Sequence, residues 1–388
     1  MAGFGNILGI RASLMLGKGP VIAPAPLNAM EAILEIEVRQ STLRPSGFKL
    51  VLAAGREGPL GLWGPPFVED PRFQKGARAV LTVWNGIKPT PIFDGIVTET
   101  QYLPGTENNE GRYILLGHDL TWLMNLEDKR EEHPMQDETA IALKIAGQYA
   151  QYGIIPTVIP PTVIDPPIAV QRTPQQCCTD LGYLKKMAKR HGYKVFIDPG
   201  PAPGGSILYF GPVPLPGAPQ KPISVNLGPM SDAFDVQVNH NGARFTAARA
   251  KVQDSATGQV TELQMPTATT LPNSAMPDSQ SLTSEIREKR IATSGMNVAQ
   301  VMARLMALVN DSAEATVKVS GTIDNTRYNA VLKPYRWVQI RGLGMVYNGI
   351  YVVAEVRHLL RPGDYRQTFV LHGDGVYPMV PLVTPEVA

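Results

Sequence analysis

Cysteine is nearly missing from this 388-residue chain, which has two, Cys177 and Cys178, side by side. Adjacent cysteines can close only a strained ring, so they supply no disulfide framework, and unlinked thiols fit folding in a reducing cytoplasm. A surplus of one charge is missing too: Lys and Arg number 36, Asp and Glu 34, leaving +2. That balance argues against a large basic face of the kind that holds nucleic acid, and leaves room for a local patch. Long apolar runs are also lacking. The most apolar stretch, Ile154 to Val170, is interrupted by Pro156, Pro160, Pro161, Pro166 and Pro167, which excludes a spanning helix. At the N-terminus the first basic residue, Arg11, follows the apolar stretch instead of preceding it, against a secretory signal. A soluble protein without stable membrane association is expected.

Glycine and proline are plentiful, with 36 Gly and 35 Pro, and Pro stands well above its usual share of about 5%. That favours strands and turns over long helices. Hydrophobic residues make up 44% of the chain and charged residues 18%, enough apolar material for a real core, divided among two or three domains at about 150 residues each.

Period-two alternation marks a strand over 31–38, where Leu34, Ile36 and Val38 alternate with Glu35 and Glu37, and further strands at 48–52, 79–84, 92–100 and 112–117. The pattern then changes. Asp137 caps a helix with Ile141, Ile145 and Tyr149 on one face, and a second helix runs from about Thr179 to Arg190 with Leu181, Leu184 and Ala188 inward and Gly192 as its stop. A hairpin at 193–198 and 207–210 completes an α+β insertion. Strands return near 223–227, 234–238 and 244–252. Residues 254–284, rich in Ser, Thr, Pro and Gln, read as an exposed excursion. A helix capped by Asn297 follows, with Val298, Val301, Met302, Leu305 and Val309 as its buried stripe, and the chain closes with strands at 315–320, 337–341, 349–357 and 365–371.

The chain resembles itself. Phe93-Asp94-Gly95-Ile96-Val97, a loop with Pro104-Gly105 and then Tyr113 to Asp119 are echoed by Tyr347-Asn348-Gly349-Ile350-Tyr351, a loop with Pro362-Gly363 and then Thr368 to Asp374. An aromatic strand precedes each copy. Aromatic, Asp or Asn, then Gly suits a tight turn into a strand. Two readings account for the echo: duplication of one β unit, or two unrelated antiparallel units with the same turn chemistry.

Motifs for catalysis do not assemble. Gly3, Gly5 and Gly9 follow no strand, so they make no dinucleotide loop; the six histidines show no metal-ligand spacing; there is no nucleophile elbow. Cys178, beside a helix start, reads as a small buried thiol. Glu131, Glu132 and Asp137 cluster, but within a mixed-charge run with Lys129 and Arg130 that fits a solvated loop better than a glycosidase pair. Lys185, Lys186, Lys189 and Arg190 give one helix a basic face, read as facing solvent or a partner from an outer insertion. No catalytic, cofactor or metal residue is expected.

Three places together resemble the baseplate hub family of contractile phage tails, which includes the D-type late control proteins of temperate phages and the hub half of VgrG proteins. They are Phe93-Asp94-Gly95 with Gly117-His118-Asp119; Thr179-Asp180-Leu181-Gly182-Tyr183-Leu184 with Gly192-Tyr193; and Asn348-Gly349-Ile350-Tyr351 with Val356, His358, Tyr365 and Phe369. The resemblance implies a mainly β fold with an α+β insertion and two tube-like antiparallel β-barrels. Residues 1–28 would be an N-terminal arm, 29–126 the first barrel, 127–213 the insertion, 214–376 the second barrel with a flexible excursion at 254–295, and 377–388 a C-terminal tail. It implies a homotrimer joining a six-fold tail tube to a three-fold spike made by a separate chain. The partners would be the tail tube protein, spike protein, tape measure protein and baseplate wedge proteins, with DNA only in transit, in a virion tail assembled in the bacterial cytoplasm. Phe4, Leu8, Tyr377, Met379 and Val380 are the candidate contacts to a neighbouring subunit or the spike. The competing class is an extracellular glycan-binding or wall-degrading β protein, which needs a carboxylate pair across a cleft.

Overall fold

The computed structural model describes residues 10–42, 44–55, 66–105, 110–161, 173–200, 202–215, 217–241, 246–253, 258–265, 287–293, 296–314 and 316–373. A first β unit holds β1 (Ile10–Lys18), β2 (Ala23–Pro24), α1 (Leu27–Glu31), β3 (Ile33–Ser41), β4 (Gly47–Ala53), α2 (Pro66–Glu69), β5 (Ala77–Asn85), β6 (Lys88–Leu103) and β7 (Arg112–Asp119). An α+β insertion follows with β8 (Asp128–Glu132), α3 (Glu138–Gly147), β9 (Ile154–Val158), β10 (Gln175–Thr179), α4 (Asp180–Arg190), β11 (Lys194–Pro199) and β12 (Ser206–Gly211). The remainder contains β13 (Gln220–Ser224), β14 (Ala233–His240), β15 (Thr246–Gln253), β16 (Val260–Met265), β17 (Arg287–Arg290), α5 (Val298–Ala313), β18 (Val317–Asp324), α6 (Asn325–Tyr328), β19 (Trp337–Arg341), α7 (Gly344–Tyr347), β20 (Gly349–Arg361) and β21 (Asp364–Gly373). The protein is mainly β with an α+β insertion, as expected.

A 13-stranded sheet runs through the molecule in the order β14-β18-β21-β20-β3-β4-β7-β6-β5-β1-β2, with β13 and β19 branching from β20. The order β3-β4-β7-β6-β5 of the first unit is repeated as β14-β18-β21-β20-β19 in the second. The echoed segments lead into matching strands: Asp94 and Gly95 lie in β6, while Asn348 closes α7 and Gly349 begins β20. The glycine in β6 is forced by packing, because a Cβ on Gly95 would sit 2.1 Å from the His118 carbonyl oxygen. The described pairings leave the sheet an open path, with no ladder closing either unit into a barrel.

Each unit has its own core. Leu14, Leu16, Val38, Leu50, Phe73 and Leu115 are fully buried in the first, and Val319, Ile340, Val353 and Phe369 in the second. In the insertion, Ile141 and Ile145 of α3 meet Leu184 and Met187 of α4. Its helices start as the sequence indicates: Asp137 Oδ1 accepts from the Ala140 amide at 2.8 Å and Thr179 Oγ1 from Gly182 at 3.1 Å, satisfying donors that a first helical turn leaves open.

Three expectations are corrected. Residues 10–18 are not part of an arm: they form β1, antiparallel to β5 from Ile10↔Asn85 to Lys18↔Ala77, with Leu14 and Leu16 in the first core. Residues 246–253 do not extend the large sheet. As β15 they sit between β16 and β17 in a separate three-stranded sheet, whose Ala248, Ala250 and Val252 pack on Val301, Leu305 and Val309 of α5. The proposed flexible excursion at 254–295 therefore contains two paired strands, β16 and β17, while residues 254–257, 266–286 and 294–295 lie outside the described residues.

Candidate functional site

The two β units join along a seam between β3 and β20, from Leu360↔Ile36 to Glu355↔Ser41. Strand alternation splits it into two faces. Ile36, Val38, Val356, His358 and Leu360 point into the protein and are buried. The outer face is a ladder of ion pairs: Arg39 to Glu355 at 2.7 Å, Arg357 to Glu37 at 2.7 Å and Arg361 to Glu35 at 2.7 Å. Arg361 beside Glu35 holds that carboxyl below its usual range. Burial pushes the His358 imidazole down to about 3, so it is neutral, with Nδ1 2.9 Å from the Tyr365 hydroxyl.

Two buried groups lock the insertion against this frame. Arg78 on β5 and Asp94 on β6, each almost without solvent contact, pair at 2.6 Å and 2.8 Å; Arg78 also donates to the Gly204 carbonyl at 3.0 Å, and Ser206 Oγ donates to Asp94 at 2.7 Å. Tyr335 is the second. Its ring stacks on Phe196 of β11 with centroids 3.4 Å apart, its hydroxyl donates to the Ser41 carbonyl at 2.8 Å, and its amide donates to Val353 at 2.9 Å. One residue thus touches the insertion and both β units. It does so from φ +65°, a conformation that costs a non-glycine residue energy unless its surroundings hold it. Burial also pushes its phenol up. Beside it lies a cavity of about 220 Å³ lined by Ser46, Asp119, Lys185, Lys194, Phe196 and Tyr335. Asp119 is pushed up by burial, and it is engaged as a turn cap for the Thr121 amide at 3.0 Å.

The carboxylates considered for catalysis are each held separately: Glu131 by Lys144 at 2.5 Å, Glu132 by the Gln175 side chain at 3.1 Å, and Asp137 as the cap of α3. Among the described residues no group of three or more His, Cys, Asp or Glu could hold a metal ion. Cys178 is half-buried against the insertion core and Cys177 exposed, in place of the buried thiol expected at Cys178. His133 and His358 are buried, the latter within β20. Among the described residues no helix is long and apolar enough to cross a membrane. Phe4, Leu8, Tyr377, Met379 and Val380 lie outside the described residues. Tyr335 and Arg78 escape a linear reading because their partners are remote in sequence; Pro334 before Tyr335 is the sole local irregularity there.

The two halves differ at one edge. The second half of β20 is flanked by β21 on one side and β3 on the other. The matching half of β6 has β7 on one side, and among the described residues no strand on the other. There Tyr102 and Leu103 are exposed. β14, which holds the place of β3 in the second unit, pairs with β18 as its sole strand neighbour among the described residues and exposes Phe234.

The strand order, seam and insertion define a fold shared with phage tail proteins and VgrG-type secretion proteins. It is similar to a tail protein from Neisseria meningitidis at 14% identity and a TM-score of 0.64, covering 94% of this chain and 98% of that one. The 43 kDa tail protein of prophage MuSo2 from Shewanella oneidensis follows at 11% identity and 0.62, covering 93% and 98%. An E. coli component of the type VI secretion system matches at 10% identity and 0.54, covering 91% and 77%. No protein-family model matches the sequence, and no curated relative matches it.

Proposed function

We propose that this chain is a structural hub of a phage-type tail baseplate. Three copies form a ring that joins a six-fold tail tube to a three-fold spike made by a separate chain, around a channel for the tape measure protein and then DNA or an effector. Its role is architectural and not catalytic, in a virion tail assembled in the bacterial cytoplasm. Domain boundaries near residues 126 and 213 separate the two tube-like units from the insertion. Tube protein, wedge proteins and spike meet the outer surfaces and the two termini, with Phe4, Leu8, Tyr377, Met379 and Val380 as candidate contacts.

The observation that carries this reading is the repeated strand order with one edge left open. Within the chain, β3 of the first unit fills the edge of β20. By the same pattern, β14 of one copy fills the edge of β6 in the next, with Phe234, Tyr102 and Leu103 covered as Val38 and Val356 are at the internal seam. An exposed edge strand with apolar side chains is a ready template for pairing, and a head-to-tail contact of this kind closes into a ring when the rotation permits. Three copies of a duplicated unit present six similar positions. Light scattering of the purified chain tests this: the expected mass is three times 42.1 kDa, and Phe234→Lys is expected to return single chains with unchanged circular dichroism. A wild-type protein that stays monomeric or dimeric across salt and protein concentration contradicts the proposal.

A further inference from the structure

A cleft of about 820 Å³ opens between α4 of the insertion and the β17–α5 unit. Seven cations line its walls: Arg190, which is paired with Glu138, and six more from three segments of the chain, Lys186, Lys189, Arg287, Lys289, Arg290 and Arg304. Helical spacing brings Lys186 and Lys189 to one side of α4, away from the buried Leu184, Met187 and Ala188. Arg304, Ala307, Leu308 and Asp311 form a stripe on α5 beside the one that packs on β15. Gly192 lets the two units approach, since a Cβ there would stand 3.2 Å from Ala307 Cα.

Among the described residues, Asp311, Glu314, Glu138 and Glu288 are engaged by other cations. Lys194 takes Asp311 at 3.2 Å and Glu314 at 3.5 Å, Arg190 takes Glu138 at 2.6 Å, and Arg249 takes Glu288 at 2.8 Å. Among the described residues none of the six cations has an ion-pair partner. In a chain of net charge +2 this is a concentration of one sign, and like charges at such density oppose the compact state unless something offsets them. The floor is apolar, formed by Ile291, Ala292, Ala307 and Leu308, and among the described residues no aromatic ring lines the cleft. A site for single-stranded nucleic acid combines cations with aromatic stacking surfaces, and the described lining has none. A cationic rim over an aliphatic floor matches instead a peptide carrying both carboxylates and aliphatic side chains.

We propose that this cleft binds an acidic, partly aliphatic peptide segment of a partner protein. The inference does not depend on ring formation, because the cleft lies wholly within one chain. The test is fluorescence anisotropy of the full chain with a labelled peptide of Glu and Leu, with a Lys and Leu peptide and a single-stranded oligothymidylate as the other arms. The Glu and Leu peptide is expected to bind, and Arg287→Glu and Arg304→Glu are each expected to weaken it by about tenfold or more. Lys318→Glu, an exposed change outside the cleft, is expected to leave binding unchanged, and melting curves confirm that each variant is folded. No binding of the acidic peptide, or equal binding by the charge-reversed variants, overturns the proposal. Tighter binding of the oligothymidylate with the same dependence on Arg287 and Arg304 overturns it in favour of a nucleic-acid site.

Discussion

The two β units run their strands in the same order yet use the same positions for different ends. Asp94 in the first occupies the place of Asn348 in the second. Asp94 is buried in an ion pair with Arg78 that also holds the insertion, whereas Asn348 Oδ1 accepts from the Leu343 amide at 2.8 Å and shapes a local turn. The far neighbours differ as well: β1 lies antiparallel to β5, while β13 lies parallel to β19. The long strand of the second unit is flanked by β3, and among the described residues the matching half of the first has no strand there. Strand order is thus the shared part, set by turn chemistry and the packed face, and the flanking contacts carry what each half does.

The contrast breaks most severely at the buried groups. Arg78→Leu leaves Asp94 as an uncompensated buried charge, and a loss of about 4 kcal/mol is expected in urea unfolding. Tyr335→Ala, which empties the three-way junction, is expected to cost a similar amount. Loss of under 1 kcal/mol from both would show that the insertion is held elsewhere.

A second difference is sensitive to pH. The folded value for His358, about 3, lies below the ordinary 6.5, so its contribution is full above pH 6.5 and is lost as pH falls toward 3. The slope is about 1.4 kcal/mol per pH unit, or about 2 kcal/mol between pH 6.5 and 5. His358→Leu is expected to remove that component, seen by comparing denaturation midpoints of the two proteins at pH 7 and 5. Parallel acid losses in both would contradict it.

Smaller effects follow on the surface. Asn348→Ala is expected to cost about 1 kcal/mol, a fraction of the Arg78→Leu effect at the partner of its counterpart Asp94. Arg361→Ala is expected to cost about 0.5 kcal/mol and to lose even that in high salt, because its side chain is 54% exposed. A loss of several kcal/mol there would mean that the outer ladder, and not the buried face, holds the seam.

Much of this was legible in the sequence. Strands with one buried face alternate visibly, as in β3; the caps Asp137 and Asn297 mark their helix starts, and the helix read from about Thr179 begins at Asp180 with Thr179 as its cap. The echo around Asp94 and Asn348 revealed the repeated units. β1 was hidden because Ile10 to Leu16 reads as an apolar stretch at a glycine-rich terminus with no turn before it. The β15–β17 pairing joins Thr246 to Arg287 across a Ser- and Thr-rich interval, so no local pattern announces it. The basic cleft is hidden for the same reason: one helix face looked ordinary until β17 and α5 were placed against it.

The central claim is that the open edge of the first unit is filled by a second copy. Electron cryomicroscopy of the assembled particle tests it directly. The account predicts a three-fold ring of six similar β units, with β14 of each chain about 4.8 Å from residues 99–103 of β6 in the next, the spacing of paired strands. A particle in which that stretch of β6 faces solvent, or pairs with any strand other than β14, would contradict it.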